Sequence, residues 1–205
     1  ATAGNFLDRF EALPYISVFV AVTLTCFGSA YYHLSPTSER LVWDRLPMSL
    51  AFMSLLAAVI VERINLRAGL LSLAPLMVLG ATSVLYWHAG DQIGRGDLRL
   101  YVFVQFYSLL AVILSSILFP SRYTRSNDIL VAAGVYALAK LVEILDSFVF
   151  AIGGIVSGHS LKHVIAAAAI YLVVRMLKYR EPAALAIATP SPQGVQNDPV
   201  LTPRD

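Results

Sequence analysis

Of 205 residues, 58% are apolar and 14% charged, with a net charge of +2. That balance lies outside the soluble range and reads as a polytopic membrane protein. Basic residues are scattered over short loops with no run or stripe, which excludes nucleic acid as a partner. The one cysteine, Cys26, excludes an intrachain disulfide or a thiolate metal site.

Apolar runs of about 20 residues, the length that crosses a bilayer as a helix, predict an all-α transmembrane bundle of six spans. They fall at about 13 to 33, 46 to 64, 69 to 87, 100 to 119, 128 to 150 and 158 to 178. Turn-forming residues punctuate them: Ser35-Pro36, Asn65 to Gly69, Gly90 to Gly96, Pro120-Ser121 and Gly153-Gly154. The chain divides into an N-terminal segment (1–12), the bundle (13–180) and a tail (181–205). The tail is rich in Pro, Ala, Thr, Ser and Gln without periodicity and is expected to be disordered.

Short loops make neighbouring spans antiparallel, so the first span ends on the face where the second begins, the third ends, the fourth begins, the fifth ends and the sixth begins. His33, His88, His159 and His163 all fall near that face, joined by Asp44 ahead of the second span. The opposite face carries Arg9, Arg63, Arg67, Arg122, Arg125, Arg175, Lys178 and Arg180, against Arg40, Arg45, Arg95 and Arg99 on the histidine face. The excess marks the opposite face as cytoplasmic and the histidine face as extracytoplasmic.

Ionisable groups at membrane depth are costly and mark function. His159 and His163 stand one helical turn apart, so both imidazoles can hold one cation. Between them lie Ser160, Leu161 and Lys162, without the glutamate of the zincin H-E-x-x-H motif. His33 alone reads first as an interfacial ring, but with the pair it makes a three-nitrogen set with an open position. Asp44 is a candidate base beside such a set, or, with Pro47 following, the N-cap of the second span. Ser29, one turn before His33, is a candidate donor to a carbonyl or oxyanion, or a hydroxyl bonded back to the carbonyl of Thr25. Lys140 and Glu143 read as a neutralising pair, and Asp146 as part of that structural set or as a partner of a ligand histidine. His88 reads as interfacial, Lys162 as a snorkelling lysine and Cys26 as a small apolar residue.

Together, G-S-A-Y-Y-H at 28 to 33, Asp44 at the opening of the next helix, and G-H-S-L-K-H at 158 to 163 resemble the CREST superfamily of membrane hydrolases. That group includes the alkaline ceramidases and the adiponectin-receptor-like proteins. Its pattern is S-x3-H, then an aspartate in the next helix, then H-x3-H in the last, and all five positions match over about residues 12 to 178. The wording is most similar to a bacterial alkaline-ceramidase-type protein, which implies an inner-membrane location. The resemblance implies Zn2+ held by His33, His159 and His163, with Asp44 and Ser29 as catalytic helpers. It also implies hydrolysis of a long-chain N-acyl lipid such as ceramide. The family fold has seven helices, and the six read here begin where its second would. Asp8 and Glu11 make no counterpart to the calcium site of the alkaline ceramidases. The alternative is a lipid-sensing receptor-like or accessory protein whose zinc is structural.

Overall fold

The computed structural model describes residues 5–183, so the expected tail falls outside the described residues from position 184 onward. Among the described residues the regular elements are all helices, apart from one isolated bridge. A 3-10 turn at Arg9–Glu11 leads into α1 (Ala12–Leu34). There follow α2 (Ser38–Arg63), α3 (Leu66–Asp91), α4 (Arg99–Leu118), α5 (Asp128–Ile144), α6 (Asp146–Gly153) and α7 (Gly158–Tyr179). Five of these, α1 with its leading turn, α2, α3, α4 and α7, are long and apolar enough to cross a membrane, as befits an integral membrane protein.

The stretch expected to form one span over 128 to 150 is two helices. They part at Leu145 (φ −89°, ψ 20°), where Gly158 of α7 packs against the backbone of Val142 and Asp146. A Cβ at 158 would lie 2.8 Å from the Asp146 Cα and closer to the Val142 carbonyl oxygen, so only glycine admits this approach.

The second span begins earlier than hydropathy suggests. Thr37 caps α2 by accepting from the Arg40 N–H at 3.3 Å, and the polar turn that follows is helical. Residues 38 to 45 carry charges that belong at an interface, where a helix needs backbone satisfaction but not apolar side chains. Asp44 therefore sits in the second turn of α2, and the N-cap reading of it does not hold. Pro47 lies inside the helix and has no N–H for the carbonyl of Trp43, four residues earlier. Gly28 of α1 packs against that same carbonyl.

α1 packs on α2, α2 on α3, and α4 on both α2 and α3, while α5 runs along α7 and touches α4. One apolar cluster, including Tyr15, Leu56, Val59, Val112, Val173 and Met176, joins these two groups of helices. A smaller one, Val42, Val84, Trp87 and Tyr101, lies near the histidine end, with the Arg45 guanidinium 4.4 Å over the Trp87 ring. Gln105 of α4 donates to the Tyr136 hydroxyl of α5 at 2.6 Å. Glu181 to Ala183, expected within the tail, are ordered: Thr124 N–H donates to the Glu181 carbonyl and Ala183 N–H to the Arg122 carbonyl, each at 2.9 Å.

Candidate metal centre

Three helix ends build the site. α1 delivers His33 in its last turn, α7 delivers His159 and His163 in its first two turns, and α2 delivers Asp44 in its second. The N-terminus of α7 is fixed twice over: Ser157 accepts from the Ser160 N–H at 3.1 Å, and Asp146 Oδ1 accepts from the His159 N–H at 2.7 Å. Asp146 therefore supports His159 through the backbone, not through the imidazole.

The three rings meet by their Nε2 atoms. His159 Nε2 lies 3.1 Å from His33 Nε2 and 3.4 Å from His163 Nε2, and one ring nitrogen from each of the three lies within 4.8 Å of the others. The rings pack edge to face, with centroids 4.9, 5.7 and 5.1 Å apart for the pairs 33–159, 33–163 and 159–163. Tetrahedral ligands at about 2.0–2.1 Å from a zinc ion stand about 3.3–3.4 Å from one another. The two short spacings match that value, so the donor set fits a divalent ion that favours nitrogen. His33 and His163 are exposed and His159 is half-buried, which leaves a side of the cluster open.

Asp44 is half-buried and its Oδ1 is occluded, yet among the described residues that atom has no hydrogen-bond partner. An acceptor left so costs about 1–3 kcal/mol, which a bound water or reacting group would relieve. The Asp44 carboxylate is close enough to His163 and Tyr101 for their charges to interact. Ser29 is half-buried, and its hydroxyl makes no hydrogen bond to Thr25 or to any other described residue; it is Thr25 that bonds back, to Ala21 at 2.9 Å. Gly28 brings Ser29 close to Asp44. A Cβ there would lie 2.6 Å from the Trp43 carbonyl carbon, nearer still to its oxygen, and 3.2 Å from the Asp44 nitrogen.

The other polar residues sort differently. Lys140 Nζ pairs with Glu143 at 2.7 Å as expected, but Lys162 closes on the other oxygen of Glu143 instead of snorkelling. Glu143 thus ties α5 to α7 beside the centre, a pairing invisible in sequence because its members lie 19 residues apart. His88 is not in the cluster; it lies beside Trp87, with an Nδ1 that is buried and unpartnered among the described residues. Asp97, in the loop before α4, is held down to about 2 by its hydrogen bonds from Arg99, and it takes no part in the site. No family profile, curated protein or solved structure compared with this chain matches it.

Proposed function

We propose that the protein is a metal-dependent intramembrane hydrolase of a lipid amide, related to the CREST superfamily and acting on a ceramide-like N-acyl lipid. The observation that carries the reading is the convergence of one ring nitrogen each from His33, His159 and His163, with His159 Nε2 at tetrahedral spacing from the other two, beside an Asp44 Oδ1 that has no hydrogen-bond partner among the described residues. When bound, zinc supplies Lewis-acid polarisation of a carbonyl and lowers the pKa of water toward about 7.

The chain's own groups supply the rest. His33, His159 and His163 present neutral ring nitrogens, and Asp146 keeps the backbone of His159 in place. Asp44 accepts a proton from the attacking water and returns it to the leaving nitrogen. The Ser29 hydroxyl donates to the carbonyl oxygen as negative charge develops there. The acyl chain of the substrate stays in the bilayer while its amide reaches the centre through the open side. α5 and α6 together act as a sixth crossing, which puts α7 in the orientation that the shared histidine face requires. The excess of arginine and lysine at the other end favours an extracytoplasmic centre, and the resemblance to bacterial alkaline-ceramidase-type proteins favours a bacterial inner membrane.

The test is lipid mass spectrometry on purified, metal-loaded protein incubated with ceramides, N-acyl amines and acyl esters. Release of fatty acid that a chelator abolishes is expected. If the loaded protein releases none from any member of the panel, the hydrolase reading fails. Chelation that then lowers only thermal stability would favour a structural ion in a lipid-sensing protein.

A further inference from the structure

At the end of the bundle opposite the histidines lies a buried ionic network that the proposed chemistry does not use. Glu11, Glu62 and Arg180 are only 2%, 5% and 2% exposed. Arg180, which ends α7, donates from Nη1 to Glu62 Oε2 at 2.7 Å and from Nε to the Asn5 carbonyl at 3.0 Å. Its guanidinium stacks 4.2 Å over Tyr123 and 4.4 Å over Phe6. Glu62, next to the end of α2, also accepts from the Tyr15 hydroxyl of α1 at 2.9 Å and from Ser121 at 2.8 Å. Glu11 takes hydrogen bonds from Arg122 at 3.1 Å and from the Tyr123 hydroxyl. Every oxygen of the two carboxylates is engaged, and a satisfied buried network of this kind is rigid.

α7 packs along α5 and α6, and among the described residues it has no comparable backbone packing against α1 to α4. Beyond what α5 transmits through its contact with α4, its position relative to α1, which carries the third histidine, therefore rests on its two ends. At one end are Val173, Met176 and Leu177 in the shared apolar cluster, with Arg180 in the ionic network. At the other are the histidines themselves. From Arg180 to His163 the helix rises about 26 Å, so a tilt of about 2° about the network moves His163 by about 1 Å. Metal–ligand distances tolerate only about 0.2 Å.

We propose that Arg180 and Glu62 are positioning residues for the three-histidine centre, their ion pair setting the height and tilt at which α7 offers His159 and His163 to His33. This rests on reading the histidines as a metal centre.

The test measures binding of Co2+ alone to detergent-solubilised protein, by visible absorption, for the unaltered chain, Arg180→Met, Arg180→Lys and the double variant E62M/R180M. The double variant leaves no unpaired buried charge, so it decides the matter should Arg180→Met fail to fold. Measurements are made where circular dichroism shows unaltered helix content. The Co2+ dissociation constant is expected to rise at least tenfold in Arg180→Met and in the double variant, with weakened four-coordinate absorption, and Arg180→Lys should recover part of the loss. A folded variant that melts earlier but keeps the affinity and spectrum of the unaltered protein would overturn the positioning role and leave the metal centre standing. Failure of the unaltered protein to bind Co2+ would overturn both.

Discussion

Replacing Gly28 by alanine tests whether the contact between α1 and α2 is what brings Ser29 to Asp44. The added Cβ would stand 2.6 Å from the Trp43 carbonyl carbon, where ordinary contact begins at 3.4 Å. The obstacle is backbone, so one helix must retreat by at least about 0.8 Å from that carbon. Overpacking of this order costs about 1–3 kcal/mol. The displacement also falls beside two proposed catalytic groups, and a misplacement near 1 Å costs about 100-fold in rate. Gly134→Ala is the matched control, since its Cβ meets nothing within 4 Å; there the change stabilises a helix interior by about 0.5–1 kcal/mol. Thermal unfolding and lipid hydrolysis measured on both variants decide the question. A Gly28→Ala protein as stable and active as Gly134→Ala would refute the argument that close backbone approach assembles the site.

Asp44→Ala should retain its metal and lose about 100- to 10,000-fold in turnover, the usual worth of a general base; unchanged turnover removes Asp44 from the mechanism. Asp146→Ala takes away the acceptor at the His159 N–H, a cap worth about 1 kcal/mol, and should lower the thermal midpoint and weaken metal binding together. A lower midpoint with unchanged metal affinity would confine Asp146 to the fold. Burial pushes the Tyr123 phenol up to about 12 from its ordinary 10.0, and its bond to Glu11 adds to the effect. The folded chain therefore favours the protonated phenol, whose stabilising effect is whole below pH 10 and lost as pH rises toward 12. The thermal midpoint should fall across that window more steeply than in Tyr123→Phe; equal slopes would remove the contribution.

The parts of the structure that hydropathy and parity govern were legible in the sequence. Of the six spans expected from apolar run lengths, five are helices long and apolar enough to cross a membrane, and the expected gathering of His33, His159 and His163 at one end agrees with ring nitrogens that lie together. What was hidden depends on tertiary contact. The early start of α2 lay in a charged turn that hydropathy ignores, although Thr37 followed by Glu39 is a cap signal that could have revealed it. The break at Leu145 has no proline to announce it and coincides with Gly158 pressing on Val142 and Asp146. Lys162 reads as snorkelling in the sequence because its partner Glu143 belongs to another helix. Arg63 and Arg180 read as loop charges in the sequence, yet both are buried: Arg63 donates to the carbonyls of Ser116, Phe119 and Ser126, and Arg180 pairs with Glu62. Removing those two from the charge count leaves its bias in the same direction.

In the proposed centre, three histidines from the two ends of the chain hold one metal ion. Elemental analysis of purified protein against His33→Ala and His163→Ala tests it most directly. About one divalent ion per unaltered chain is expected, as a three-histidine site holds, with its loss from each variant under conditions where the helices remain folded. An unaltered protein that takes up no divalent ion when offered one, or variants that keep a full complement, would contradict it.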